Sequence, residues 1–128
     1  MPGLSQRVVQ VIESFAASMG LPARPAADGS YSFVFSRSGA LSLTGSEDGE
    51  RLLVSLARDP LRPDADLEWR LFSRAGFDLA TQRFLHSGMS SDGSLFHVME
   101  LAEDDVDLPS LDAALRRLME AFEELGGI

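Results

Sequence analysis

The sequence predicts an α+β fold on a mainly antiparallel sheet, and three observations carry that expectation. Apolar residues recur at three- and four-residue steps near both ends of the chain and once in the middle, the period of a helix with a buried face. Between these segments stand runs that alternate apolar and polar residues, three in succession and later two, separated by short turns bearing Asp and Gly. At 128 residues and 45% hydrophobic content, the chain can bury a core as one domain, expected to span 1–128, and is far from the composition of disorder. Strands joined by short turns pair antiparallel, whereas parallel neighbours need a crossover between them. The expected order is helix, three strands, helix, two strands, helix.

Ser5 can cap the first helix, whose stripe is Val8, Val11, Ile12, Phe15 and Met19. Gly20 can take the left-handed position beyond its end, and Pro22 cannot continue it. In "SYSFVF" the aromatics Tyr31, Phe33 and Phe35 alternate with Ser32, Val34 and Ser36; in "LSLT" Leu41 and Leu43 alternate with Ser42 and Thr44. "SEDGE" turns the chain into a third strand with Leu52, Val54 and Leu56 on one face and Leu53, Ser55 and Ala57 on the other. Two prolines in "RDPLRPDAD" break the pattern, and Asp64 or Asp66 can start the second helix. That helix is apolar around too much of its circumference for one buried stripe: Leu67, Leu71 and Ala75 form one row, Trp69 and Phe72 another. Gly76 is expected at its C′ position, with Phe77 touching Phe72. "QRFLHSG" and "SLFHVMELA" form a hairpin through "SSDG", and the last helix buries Leu111, Leu115, Leu118, Phe122 and Leu125 before Gly126 and Gly127 stop it.

Composition narrows the chemistry. All eleven basic residues are Arg, and the chain contains no Lys, Asn or Cys. Disulfides, thiolate nucleophiles, Cys-bound zinc and Schiff-base or P-loop lysines are thereby excluded. The net charge of −9 is concentrated in Glu100–Ile128, which holds nine acids against two Arg. This part repels nucleic acid, so none is expected as a partner. It reads either as a solvated surface or as one that keeps the protein soluble and attracts a basic partner. No run approaches the roughly 18 apolar residues of a membrane span, and "MPGLSQRVVQ" lacks the pattern of a secretory signal, so a cytoplasmic location without membrane insertion is expected.

Catalytic constellations are weaker than their ordinary readings. His86 and His97 lie on the two strands of the last hairpin, but no third ligand has diagnostic spacing, so no metal and no cofactor is expected. Asp104, Asp105 and Asp107 lack the glycine and terminal Glu of a calcium loop and read as a turn that starts a helix. "SSDGS" lacks the strand, sharp turn and helix of a nucleophile elbow. The chain is expected not to be an enzyme, with no catalytic residues. A ligand space between the long helices and Tyr31, Phe33 and Phe35 is the lesser reading beside an ordinary core.

The stretches "FAASMGLP", "DGSYSFVF", "LEWRLFSRAGF" and "SSDGSLFHVMEL", with the final amphipathic helix before "GG", give a chain that resembles the Tir-chaperone (CesT-like) family of class I type III secretion chaperones over essentially its whole length. Many members have Ala-Asn and an apolar residue where this chain has Ala75-Gly76-Phe77; Asn and Gly both tolerate a left-handed cap, so the change is mild. The resemblance implies a cytoplasmic homodimer without ATPase activity. Such a chaperone holds the N-terminal segment of a secreted effector in extended form, soluble and ready for export. The acidic C-terminal part is expected to keep the loaded complex soluble or to guide it to a basic export component by charge steering.

By the same resemblance the second helix and neighbouring sheet make the dimer contact, which gives Leu67, Trp69, Leu71, Phe72, Phe96 and Val98 as candidates. Val34 and Leu53, among Ser32, Ser36, Ser55 and Thr44, are the client-binding candidates, with Arg37, Arg51 and Arg58 as a polar rim. On the strand "SLFHVMELA", Phe96 and Val98 occupy one face and Leu95, His97, Met99 and Leu101 the other; one face meets the core and the second a partner chain. The alternative is a small adaptor or regulatory module of the same fold outside secretion.

Overall fold

The computed structural model describes residues 4–35, 37, 39–59 and 66–125. Helix α1 spans Gln6–Ser18 and is capped by Ser5, whose Oγ accepts the Val8 N–H at 3.2 Å. It ends in a Schellman arrangement: Gly20 has φ +70°, and the N–H groups of Gly20 and Leu21 donate to Ala17 and Ala16. Strands β1 (Tyr31–Phe35), β2 (Gly39–Gly45) and β3 (Arg51–Arg58) form an antiparallel meander. Helix α2 (Leu67–Ser73) precedes β4 (Gly76–Asp78), β5 (Arg83–Met89) and β6 (Leu95–Ala102), and a 3-10 turn at Glu103–Asp105 leads into α3 (Leu108–Glu123). Asp107 caps α3 by accepting the Ser110 N–H at 2.7 Å. The expected roles of Asp64 as a helix start, Ser36 on the polar face and Gly126 and Gly127 as a stop fall outside the described residues.

The six strands make one antiparallel sheet in the order β1-β2-β3-β6-β5-β4. The register carries one face across it: Leu41 and Leu43 lie beside Leu56 and Val54, these beside His97 and Met99, and Met99 beside Leu85. Helix α3 lies on β3 and β6 and against α1, so the apolar stripes of both long helices close on this face. Val8, Ile12 and Phe15 of α1 and Leu111, Leu115, Leu118, Phe122 and Leu125 near or within α3 are buried there, each contributing roughly 1.5–3 kcal/mol. Tyr31 and Phe33 are buried in the same cluster and Phe35 packs against it, so the aromatic face is core.

Two expectations at the second helix are corrected. The helix stops at Ser73, its C-cap is Arg74, and the N–H groups of Arg74 and Ala75 close a tightened last turn on Leu71 and Phe72. Gly76, at φ +132°, therefore does not occupy C′; it begins a strand absent from the sequence reading, pairing with Leu85. Phe77 is opposite Phe84 in that ladder rather than set to close on Phe72. Three residues are too few for alternation to register as a strand, and a positive-φ glycine serves a strand lead-in as readily as a helix end.

His97 is the buried polar exception. Its Nδ1 shares a 2.7 Å hydrogen bond with Ser87 Oγ, its ring meets Phe122 edge to face at 4.5 Å, and Nε2 has no protein partner among the described residues. Burial, and then the positive charges of Arg117 and Arg58 against the opposing Glu124, push its pKa down from 6.5 to about 4. The folded chain keeps the ring neutral while the unfolded chain protonates it earlier, so between these two values stability rises with pH and is lost as pH falls. In urea titrations at pH 7 and 4.5, His97→Leu is expected to lose less stability on acidification than the wild type.

Candidate partner-docking surface

With the helices gathered on one face, the other face of the sheet carries no helix among the described residues. The register lays out its rows. Val34, Ala40, Ala57, Phe96 and Gly88 cross β1, β2, β3, β6 and β5; Ser32, Ser42, Ser55, Val98 and His86 form the next row; Thr44, Leu53 and Glu100 form a third. The face therefore grades from serine and alanine over the meander to apolar and aromatic over β6, β5 and β4. An apolar, aromatic region of this kind on an uncovered face is the type of surface that marks an interaction site.

At the aromatic end, Phe77 and Phe84 meet edge to face at 5.3 Å, and Phe84 stacks beside His86 at 6.5 Å. Phe96 lies across Gly88 on the neighbouring strand: a Cβ on Gly88 would collide with the ring, so the absent side chain is what lets the aromatic lie flat. Phe96 and Val98 are half-buried, with Leu95, His97, Met99 and Leu101 on the core side, as the alternation predicts. Arg51 donates to Glu100 at 2.7 Å, beside an open depression lined by Arg51, Gln82, Arg83, Phe84, His86, Glu100 and Ala102.

Helix α2 packs on β5 and separates its two rows. Leu67 and Leu71 are core residues of this chain, which corrects their place among the surface candidates. Trp69, 75% exposed, and Phe72, 45% exposed, point away. Ala75 lies beyond the helix and is exposed, so the expected first row is two residues long. Among the described residues five of the eight exposed large apolar side chains, Trp69, Phe72, Phe77, Leu79 and Phe84, fall in this one stretch of chain. Phe77 and Leu79 were missed as surface candidates because β4 and the turn after it were not legible, and Phe84, on the expected strand β5, was not singled out.

The client-side candidates separate. Val34 is 80% exposed and Leu53 half-buried on the bare face, among Ser32, Ser55 and Thr44. Arg51 shares that face, and Arg37 is exposed at the β1–β2 turn. Arg58 does not join them: it pairs with the core-facing Leu95, and its guanidinium lies 4.9 Å from the centre of the Phe122 ring on the helical side. The three arginines are therefore not one rim, a correction that follows from the period of two along β3, where Arg51 and Arg58 have opposite parity.

A chain of charges ties this region down. Arg117 of α3 donates from Nε to Asp78 Oδ1 at 2.9 Å and from Nη1 to Glu124 Oε1 at 2.6 Å, and Arg74 at the end of α2 reaches Glu124 Oε2 at 3.4 Å. Asp78 Oδ2 accepts from the Thr81 N–H and hydroxyl at 3.1 and 2.6 Å. Burial opposes the Asp78 charge, but the bonds from Thr81 and Arg117 outweigh it and hold the carboxyl below its usual range; likewise Asp78 and Glu124 outweigh burial and raise Arg117. His86 and His97 do not meet, since His86 pairs with Val98 on the bare face and His97 faces the core. Among the described residues no group of three or more His, Asp or Glu could hold a metal ion, and no helix is long and apolar enough to cross a membrane.

A model of the Tir chaperone protein (CesT) family matches residues 10–126. The fold is similar to that of the Yersinia pestis type III secretion chaperone SycH in complex with a stable fragment of YscM2, at 16% identity and TM-score 0.70 over 93% of this chain and 99% of that one. The ExsC-ExsE complex gives 20% identity and TM-score 0.70 over 97% and 92% of the two chains, and the HopA1-SchA chaperone-effector complex 17% and 0.62 over 94% and 98%. No curated protein sequence matches. Identities this low speak to fold.

The glycine and ring pair on the bare face is open to a direct test. Gly88→Val is expected to push the Phe96 ring aside and cost about 1–3 kcal/mol in urea unfolding, as overpacking does. In Gly88→Val combined with Phe96→Ala the two costs should fall short of adding, because the ring that clashes is gone.

Proposed function

The chain belongs to the Tir chaperone protein (CesT) family, and from that premise we propose how it works. It is a type III secretion chaperone that binds effector proteins. The family match over residues 10–126 carries this conclusion, and the fold shared with chaperone complexes is consistent with it. In our reading the chaperone acts in the cytoplasm as one domain over 1–128 and holds the N-terminal segment of its effector extended, without ATP hydrolysis or any other catalytic step. A chain held extended over a surface pays its ordering entropy on binding and is kept from collapsing or aggregating until export.

The bare face of the sheet supports a division of labour. Val34 and Leu53 stand on its serine-rich half, where an extended segment can lay alternate apolar side chains while its other side chains meet hydroxyls. Arg51, paired with Glu100 beside Leu53, and Arg37 at the turn are charged groups on or beside that half. Trp69 and Phe72 on α2, with Phe96 and Val98 on the aromatic half, are the candidates for contact with a second copy of the chain. A two-fold interface buries the same patch twice, which suits a patch rich in aromatic rings. The acidic C-terminal part is read as a surface that keeps the loaded complex soluble and steers it to a basic export component.

Capture from the native host, followed by brief proteolysis and mass spectrometry, tests the reading: one or a few proteins protected only over an N-terminal segment are expected, whereas a partner protected throughout as a folded domain would favour an adaptor. Val34→Glu with Leu53→Glu is expected to weaken capture of that segment tenfold or more, about 1.4 kcal/mol, without changing the oligomeric state. Trp69→Glu with Phe72→Glu should shift sedimentation equilibrium toward a folded monomer, because charges placed in an apolar interface stay unpaired.

A further inference from the structure

The two pieces of chain that display most of the exposed aromatic surface are poorly secured by their own secondary structure. Helix α2 has seven residues, below the length at which a helix holds itself in water, and β4 is an edge strand of three residues paired only to β5. The turn that follows β4 contains Gln82 at φ +58°, the one non-glycine residue with positive φ among the described residues. Such a conformation persists only where neighbouring groups impose it. Here those groups are identifiable: the Gln82 N–H donates to the Asp78 carbonyl at 2.7 Å, and the Asp78 carboxylate holds Thr81 through two bonds.

Asp78 is in turn held from outside its own hairpin. Arg117 bridges Asp78 and Glu124 with separate nitrogens, and Arg74 engages Glu124 through both its carboxylate and its carbonyl. One run of side chains thus connects the end of α2, the C-terminal end of α3, the β4 edge and the turn after it. Arg117 and Asp78 are the least solvated members, with side chains 15% and 11% exposed, so their attraction is less screened than that of a surface pair. A lysine could not reproduce the arrangement, because a single ammonium does not present the fixed fork that spans two carboxylates.

We propose that Arg117, through Asp78, Glu124 and Arg74, is a positioning residue that fixes α2 and the β4 turn against α3 and thereby sets the geometry at which Trp69, Phe72, Phe77 and Leu79 meet a second copy of the chain. The proposal rests on the homodimer reading above. It assigns Arg117 no contact with the partner; its effect passes through the placement of residues 67–82. The lowered Asp78 and raised Arg117 pKa values are in accord with a pair that stays charged at neutral pH.

The test measures two quantities on the full chain: the monomer–dimer constant by sedimentation equilibrium, and amide hydrogen exchange resolved by segment. Arg117→Gln is expected to weaken self-association tenfold or more and to speed exchange across residues 67–82 while β1, β2 and β3 keep wild-type protection. Arg117→Lys should fall between the two. If Arg117→Gln loses protection throughout, the comparison passes to the milder Asp78→Asn and Arg74→Gln, for which weaker association with an intact meander is expected. A dimer whose association in these folded variants stays within twofold of wild type overturns the proposal alone. A wild-type chain that remains monomeric overturns the homodimer reading and the proposal with it.

Discussion

A sheet has two faces, and the helices of this chain close over one of them. Every large residue buried by α1 and α3 meets the same side of β1, β2, β3, β5 and β6, so the core is a single layer between helices and sheet. Whatever stands on the opposite side must tolerate water or find another chain. The sequence of the bare face answers in two ways: hydroxyls and alanines over the meander, aromatic and branched residues toward β4. In the proposed reading this uncovered face is where a client segment and a second copy of the chain dock.

The same constraint explains the placement of charge. A chain of net charge −9 carries most of that excess from the end of β6 through the following turn to the end of α3, and uses arginine to tie several of these acids back. Most of these pairs are exposed and contribute little to stability, as Arg116 with Asp112 and Arg51 with Glu100 illustrate. Arg117 differs because its partners come from separate elements and are partly shielded. Arg7 does comparable work at the other end of α3, donating to the carbonyls of Glu103 and Val106 and so fastening α1 to the turn before the last helix. Long-range side-chain bonds of this type hold the pieces that local hydrogen bonding leaves loose.

Much of this fold was legible. The cap at Ser5, the glycine stop at Gly20 and the stripes of both long helices depend on local spacing, which a sequence displays directly, while Asp107 was legible only as part of the turn that starts the last helix. The strand faces were equally plain, because alternation assigns Leu52, Val54 and Leu56 to one side and Leu53, Ser55 and Ala57 to the other. The region between Ala75 and Gln82 was not. A three-residue strand has too few positions to show a period, and a glycine with positive φ reads equally as a helix stop. The same blindness hid Phe77 and Leu79 from the candidate surface, whereas the helical period did separate the row of Leu67 and Leu71 from that of Trp69 and Phe72.

By itself the sequence determined the class of fold, the caps and faces of its long elements, the absence of thiol and lysine chemistry, and the two-sided apolar character of β6. These follow from local spacing and composition, which act through neighbours a few residues away. Tertiary structure alone decided which side of the sheet received the helices, that Arg58 on that side meets the Phe122 ring, and that Asp78, Arg74, Glu124 and Arg117 converge. Such contacts join residues about forty positions apart in the case of Asp78 and Arg117. No local rule fixes them, because they depend on how whole elements pack.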